Sequence, residues 1–400
     1  MEKPTKMKRF SAVMLAAISL AACTDSSTAP LAPVSPEQLS LPVAPFYAKG
    51  AAGIDGEYIV VFKDQVLDPL SAADDKLRMH GGMKKFVYDK ALKGFAATLS
   101  PGAVDALRAD PDVAYIEQDA IVTTMATQSG ATWGLDRIDQ RNRPLSGTYI
   151  YVSTGTGVRA YIIDTGIQTN HPQFGSRASA VYDALGGNGQ DCNGHGTHVA
   201  GTVGASTYGV AKNVMLRAVR VLDCAGSGST SGVIAGMNWV ASNHIKPAVA
   251  NMSLGGGFST SSNTAANNLA SAGVFLAVAA GNSNADACNA SPASAANATT
   301  VAASTSVDAK ASYSNYGACV DLYAPGSSIT STWIGSGTNT ISGTSMASPH
   351  VAGVGALYKA TYGDASYSTI RSWLVTNATS GVISGNIGST PNKLLYKAGL

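Results

Sequence analysis

A hydroxyl, an imidazole and a carboxylate can together break an acyl bond, and this 400-residue chain places one of each in a context suited to that task. Asp164 directly follows the apolar run Ala160-Tyr161-Ile162-Ile163. His195 stands in Asn193-Gly194-His195-Gly196-Thr197-His198, where flanking glycines let the backbone turn sharply into a helix. Ser345 stands in Ser342-Gly343-Thr344-Ser345-Met346-Ala347-Ser348-Pro349-His350, at the glycine-led start of an apolar helix over Val351–Tyr358. A serine hydroxyl is a poor nucleophile until an imidazole takes its proton, and the imidazole needs a carboxylate to fix its tautomer and stabilise its charged form. A serine at a helix N-terminus also has the positive end of the helix dipole beneath any anion that develops there. One such residue beside a glycine reads as a turn or a cap; the three contexts together point to nucleophilic catalysis.

Those residues need elements to hold them. From Gly157 onward, short β-branched or apolar runs alternate with small-residue stretches suited to helices. Strands are predicted at Val158–Ile163, Val214–Val221, Val249–Met252, Val274–Val278 and Thr300–Val301, and helices at His198–Val203, Ser231–His244 and Thr264–Ala272. This alternation predicts an α/β fold, a mainly parallel sheet with helices on both faces. In such a sheet chemistry belongs outside the carboxyl ends of the strands, where Asp164 falls. Ahead of it, residues 55–125 read as a small α+β domain. Its order is strand Glu57–Phe62, helix Asp68–His80, strands Lys85–Tyr88 and Gly94–Leu99, helix Ala103–Ala109 behind a Ser100-Pro101 start, and strand Val113–Ile116. That is a split, ferredoxin-like pattern. Residues 118–128 are small and polar, the composition of an exposed connector.

Composition and the N-terminus narrow the function classes. Only 13% of residues are charged, and residues 1–125 hold 28 of the 52 Asp, Glu, Lys and Arg, with no Glu after Glu117. So sparse a supply, without a block of Lys or Arg, argues against a nucleic-acid-binding surface. Lys3, Lys6, Lys8 and Arg9 precede an apolar run, Phe10–Leu20, that fits the core of a secretory signal and is too short to span a bilayer. The chain is therefore expected outside the cytoplasm. The run ends Leu20-Ala21-Ala22-Cys23, resembling the lipobox of bacterial lipoproteins and making Cys23 a candidate for lipidation. Residues 1–23 are read as the signal, and residues 24–54, rich in Ser, Pro, Thr and Ala, as a linker. Setting Cys23 aside, Cys192, Cys224, Cys288 and Cys319 form an even set able to make two disulfides, with three pairings open. Cys192, His195 and His198 also have metal-ligand chemistry, but the other cysteines are isolated and no Cys-x-x-Cys occurs.

The order Asp, His, Ser discriminates among serine hydrolases. The α/β-hydrolases run Ser, acid, His and chymotrypsin runs His, Asp, Ser; the subtilisin order agrees with this chain. Gly343-Thr344-Ser345-Met346-Ala347 is also not the Gly-x-Ser-x-Gly elbow of esterases. Residues 126–400 resemble a subtilisin-like serine protease of the proteinase K branch, near aqualysin. The resemblance runs from Trp133-Gly134-Leu135-Asp136-Arg137-Ile138-Asp139-Gln140 through Tyr182-Asp183-Ala184-Leu185-Gly186-Gly187 to Asn392-Lys393-Leu394-Leu395-Tyr396. Residues 55–125 resemble that family's inhibitory propeptide, in Tyr58-Ile59-Val60-Val61-Phe62 and Asp112-Val113-Ala114-Tyr115-Ile116-Glu117.

The resemblance implies roles. Asp164 would orient His195, His195 would act as base and then acid, and Ser345 would attack a peptide carbonyl. Asn282, in Ala279-Ala280-Gly281-Asn282-Ser283, falls at the family's oxyanion-hole position, a contact worth about 3 to 4 kcal/mol where it has been removed in subtilisin itself. Gly226-Ser227-Gly228 and Ser253-Leu254-Gly255-Gly256 match the edges that hold an extended peptide by strand addition. Ala279, Ala280 and Gly281, with Leu254–Gly257, would line the first specificity pocket; none is charged, which favours an apolar or aromatic residue before the cleaved bond. The implied disulfides are Cys192 with Cys224 and Cys288 with Cys319. Structural calcium is implied at Asp321 with the carbonyls near Ala296 and Ala298. A second site is implied at Asp136, Asp139 and Gln140, a weaker one because the further ligand positions in that region hold Ser146 and Thr148 and calcium wants six to eight oxygens. The expected enzyme is a monomeric, secreted endopeptidase, made as a zymogen and cut near Met125-Ala126 by its own Ser345. Two rival classes make different demands. An inactive surface-binding protein on this fold would be expected to lose one of Asp164, His195, Ser345 or Asn282, and an esterase would hydrolyse soluble esters but leave casein intact.

Overall fold

Two sheets absorb the predicted strands, and in each the alternation of side chains decides what the sheet can cover. The computed structural model describes residues 43–49, 53–120 and 125–400; Cys23, the signal and most of the linker lie outside the described residues.

The first sheet is built from β1 (Phe46–Tyr47), β2 (Gly53–Phe62), β3 (Met83–Tyr88), β4 (Gly94–Thr98) and β5 (Val113–Ala120), in the order β1-β5-β2-β4-β3. Helices α1 (Pro69–His80) and α2 (Pro101–Arg108) join the strands. Their starts follow from local chemistry: Asp68 accepts hydrogen bonds from Leu70 and Ser71, Ser100 accepts one from Ala103, and a proline opens each helix. Val60, Phe62, Phe95, Ala97, Leu107 and Ile116 form a separate core. The strand and helix order matches expectation, with two changes at the margins. Phe46 and Tyr47, assigned to the linker by composition, pair in parallel with Ile116 and Glu117. The connector is also shorter, because Gln118–Ala120 continue β5 and Ala126–Ser129 form β6, which pairs with β7 (Thr148–Tyr151) beyond α3 (Trp133–Asp139).

The second sheet carries the chemistry. Its strands, in chain order, are β8 (Arg159–Asp164), β9 (Ala178–Asp183), β10 (Met215–Arg220), β11 (Ala248–Met252), β13 (Phe275–Ala279), β15 (Thr299–Ser304), β16 (Leu322–Pro325), β19 (Thr379–Ser380) and β20 (Lys393–Leu394). Two short pieces, β12 (Gly256–Gly257) and β14 (Ala290–Ser291), pair antiparallel beside it, as do β17 (Ile329–Trp333) and β18 (Gly337–Ile341). The sheet order is β19-β20-β16-β15-β13-β11-β8-β10-β9, parallel except at the β19–β20 edge. Side chains alternate between two cores, as a strand buried on both faces requires. Ala160 and Ile162 of β8 join the core under α4 (His195–Gly204) and α7 (Thr344–Tyr362), while Tyr161 and Ile163 join that under α5 (Thr230–Asn243) and α6 (Thr260–Ser271). The last helix, α8 (Tyr367–Asn377), follows α7.

Two covalent ties cross this unit. The disulfides are Cys192–Cys224 and Cys288–Cys319, closing spans of 32 and 31 residues. Loops of that length lose substantial unfolded-state entropy when closed. Replacing Cys288 and Cys319 together by Ser should lower stability by about 3 to 4 kcal/mol in denaturant unfolding; an unchanged midpoint and slope would contradict that account.

Candidate active site

The end of β8 and the start of α4 meet closely enough for a buried acid to hold an imidazole. Asp164, the last residue of β8, is fully buried, and its Oδ1 lies 2.7 Å from His195 Nδ1 while also accepting the Thr165 N–H at 2.8 Å. An ionised carboxylate can only accept a hydrogen bond, so the Nδ1 atom carries the proton and leaves Nε2 free as an acceptor. α4 begins at His195 itself, three residues before the position predicted, because Gly194 takes a left-handed conformation (φ 109°) as its N-cap. Glycine is required there twice over: a Cβ would also collide with the Trp333 ring. Burial pulls the His195 pKa down, but the charge and hydrogen bond of Asp164 and the charge of Asp191 outweigh it, leaving the pKa above the usual 6.5. His198, one turn on, is buried with Nε2 3.0 Å from the Ile329 carbonyl and is pushed down to about 4, so it stays neutral beside His195.

Ser345 lies in the first turn of α7, and a proline determines what surrounds it. Pro349 has no N–H to give the Ser345 carbonyl four residues back. Ser253 Oγ donates to that carbonyl instead, at 2.7 Å, and Ser345 Oγ donates to the Ser253 carbonyl at 3.1 Å. Buried Asn251 completes the tie, donating to Ser253 Oγ at 2.9 Å and accepting from Ser348 Oγ at 2.7 Å. The resting Ser345 hydroxyl thus points at β11's end rather than at His195. Asn282 is oriented by its neighbour: its Oδ1 accepts from the Thr344 N–H at 2.8 Å and the Thr344 hydroxyl at 2.9 Å. A backbone N–H can only donate, so the amide oxygen faces Thr344 and the Nδ2 donor is left for the exposed side. Asn315 shapes the same turn, donating to the Ala280 carbonyl and accepting from the Ser283 and Ala285 N–H groups. Neither Thr344 nor Asn315 carries a sequence signal of its own beyond adjacency to Ser345 for the first.

Two cavities share the wall Leu254–Gly257. The larger, about 540 Å³, is lined by His195, Gly226, Ser227, Gly228, Ser253, Leu254, Gly255 and Gly256. The smaller, about 370 Å³, is lined by Leu254–Gly257, Ala279, Ala280, Gly281, Asn282 and Ser345. Every residue expected to hold substrate therefore borders one of the two. No Asp, Glu, Lys or Arg lines either cavity. The larger also takes in Leu222, Val233, Ser262 and Pro292, which the sequence reading did not assign; they come from four segments separated by up to seventy residues.

The candidate metal ligands divide. Asp321 meets a competing cation from the chain itself: Arg371 Nε and Nη2 both lie 2.7 Å from its Oδ1, Arg371 Nη1 donates to the Ala296 carbonyl at 2.7 Å, and the Thr300 N–H takes Oδ2. Ala298 is buried. Calcium would have to displace the guanidinium, so this arrangement does not fit the ion. Asp136, Asp139 and Gln140 do gather, around the Ser146–Ile150 segment. Asp136 Oδ1 and Gln140 Oε1 both accept the Ser146 N–H, Ser146 Oγ lies 2.7 Å from Thr148 Oγ1, and Asp139 Oδ2 accepts the Ile150 N–H. Burial pushes the Asp139 carboxyl up to about 6, against the pull of the Ile150 N–H and Lys397. This all-oxygen set suits a hard cation. Among the described residues no three His, Cys, Asp or Glu side chains converge on one point, and Cys192 lies in a disulfide rather than offering a thiolate beside His198.

A buried Asp paired to a His at the carboxyl edge of a parallel sheet, beside a serine in the first turn of a helix, defines a class of serine hydrolase. The comparisons agree. Residues 155–394 match the model described as "Subtilase family", and residues 57–125 match "Peptidase inhibitor I9". An "Extracellular serine proteinase" of Thermus sp. (strain Rt41A) is 51% identical over 86% of this chain and 90% of its own length. "Proteinase R" of Parengyodontium album is 47% identical over 92% of this chain and 96% of its own. A solved "cold adapted subtilisin-like serine proteinase" is 54% identical, with a TM-score of 0.66, covering 67% of this chain and 99% of that one. The chain belongs to the subtilase family and is a serine endopeptidase with an inhibitor-type segment ahead of its peptidase domain.

A base must be neutral to accept a proton, so the raised His195 pKa sets where activity is lost on acidification. kcat/KM on a peptide substrate should fall as pH drops through a value above 6.5; an acid limb at or below 6.5 would overturn that. Asn282→Ala should lower kcat about a hundredfold to a thousandfold with KM little changed.

Proposed function

We propose that this endopeptidase cleaves proteins through Ser345, His195 and Asp164, with Asn282 Nδ2 and the Ser345 N–H receiving the oxyanion. The observation that carries the reading is the 2.7 Å contact of buried Asp164 with His195, facing a wall shared with Ser345. Ser345 Oγ turns from the Ser253 carbonyl toward His195 Nε2, gives up its proton there and attacks the scissile carbonyl carbon. The negative oxygen forms against the two donors. On collapse the C–N bond breaks, His195 returns its proton to the leaving amine, and water then releases the acyl group from Ser345 by the same proton path. The substrate backbone lies along Gly226–Gly228 and Ser253–Gly256, where absent side chains permit close approach. An uncharged pocket at Ala279–Gly281 favours an apolar or aromatic residue before the cleaved bond. The purified protein should digest casein, and a serine-directed inhibitor should stop it; intact casein after exposure to correctly processed protein would overturn the reading.

The inhibitor-type segment supports synthesis as a zymogen, with residues 55–125 acting on the chain's own peptidase domain. A cut near Met125-Ala126 has a structural cost, because Ala126–Ser129 pair with Thr148–Tyr151 and Gln128 is held by Lys212 Nζ at 2.6 Å and the Thr207 carbonyl at 3.1 Å. Cleavage there would leave Ala126 as a new N-terminus already paired with Tyr151. Ser345→Ala should yield a full-length precursor on a denaturing gel; a normally processed product would sink self-cleavage.

We infer an extracellular enzyme, as the name of the Thermus relative says of that protein, acting as a monomer. No described helix is long and apolar enough to cross a membrane. Calcium is assigned to Asp136, Asp139 and Gln140 with Ser146 and Thr148, where the ion would tie α3 to the start of β7 and neutralise the two carboxylates. Inhibitor-blocked enzyme should melt at a higher temperature in calcium than in chelator, and Asp139→Asn should remove the difference. An equal calcium increment in that variant would reject this site.

A further inference from the structure

The helix that carries His195 cannot cap itself. Gly194, its N-cap, has no side chain and cannot acquire one beside Trp333, so the first N–H groups of α4 need acceptors from elsewhere. Three residues supply them, beginning with Asn193, whose Oδ1 accepts the His195 N–H at 3.2 Å. Thr165 Oγ1 accepts the Gly196 N–H at 2.8 Å, and Asp191 Oδ2 accepts the Thr197 N–H at 2.8 Å and the Thr197 hydroxyl at 2.6 Å. The other Asp191 oxygen accepts from the Asn193 and Gly194 N–H groups and from the Thr165 hydroxyl, each at 2.9 Å. Five donors therefore meet on one half-buried carboxylate. They come from the residue after Asp164 and from both sides of His195.

We propose that Asp191 is a positioning residue for the catalytic pair, holding the first turn of α4 against the end of β8 so that the Asp164–His195 contact keeps its geometry. This rests on the catalytic reading above. The Asp191–Thr165 bond is the part a simple helix cap would not need, since it fixes the strand end rather than the helix. A misplacement of about 1 Å at such a pair can cost a hundredfold in rate. The carboxylate also faces the imidazole electrostatically. Around His195 the charged groups are Asp164 from β8 and Asp191 from the preceding loop, while His198 in α4 is neutral and no other ionisable side chain lines the cavity.

The test compares Asp191→Asn and Asp191→Glu with the parent on a peptide substrate, with Ser345→Ala as the inactive control. Asp191→Asn keeps the size, loses the charge and turns one acceptor into a donor. It should lower kcat about tenfold to a hundredfold with KM within a few-fold, and move the acid limb of kcat/KM to lower pH. Asp191→Glu keeps the charge but not the reach, so kcat should fall while the acid limb stays. Should Asp191→Asn fail to mature, the same exchange in the uncut Ser345→Ala precursor, read by NMR titration of the His195 ring, should show a lowered imidazole pKa. Parent-like kcat and acid limb with only a lower melting temperature would reduce Asp191 to a cap and overturn the proposal. An inactive parent would instead overturn the catalytic reading on which it rests.

Discussion

Removing a carboxylate from water while keeping it ionised costs several kcal/mol unless donors replace the lost hydration, and Asp164 has no exposed surface at all. Its replacements are the Thr165 N–H and His195, the latter 31 residues on from Asp164, so the end of β8 and the start of α4 must touch. That demand explains the glycines around them. A Cβ on Gly196 would strike the Gly166 carbonyl, and one on Gly166 would strike the backbone of Gly189–Asp191. The sequence around His195 is glycine-rich because two backbones have to pass at hydrogen-bonding distance, and the imidazole's orientation follows from that approach.

The nucleophile is held by a parallel arrangement on the neighbouring strand. Pro349 takes a hydrogen bond away from α7 and thereby frees the Ser345 carbonyl for Ser253, so β11 and α7 are joined through the nucleophile's own main chain. The strand end that receives this bond continues into Leu254–Gly257, the wall common to both cavities. Substrate edge and nucleophile are thus set by the same few residues, with Asn251 buried beneath them.

Local chemistry was legible in the sequence where it is short-range. The Ser100-Pro101 start of α2, the apolar runs of β8, β10, β11 and β13, and the flanked Asp, His and Ser all stand within a few residues of what determines them. α4 was placed three residues late because Gly-His-Gly resembles loop and only Trp333, far along the chain, settles the N-cap. β9 and the β17–β18 hairpin lack apolar runs; β9 forms because β10 offers it an edge, and β17 and β18 pair only with each other. Phe46 and Tyr47 sit in a stretch of linker composition, yet β5 supplies a ladder for them. Arg371 was invisible as a partner of Asp321 for the same reason: fifty residues separate them, and nothing local marks a guanidinium as a stand-in for a metal ion.

The cleft walls are largely main chain. Gly226–Gly228 and Gly255–Gly257 present N–H and C=O groups where other binding sites present side chains. A surface made of backbone has few letters for point mutation to rewrite, and it reads little of its ligand beyond the extended shape that every unfolded polypeptide can adopt. On the proposed function, breadth of diet and resistance to drift share one origin, and so does a hazard: any loosened copy of the enzyme is itself a meal. Two disulfides and a sparse set of charged residues belong to a protein living among its own kind.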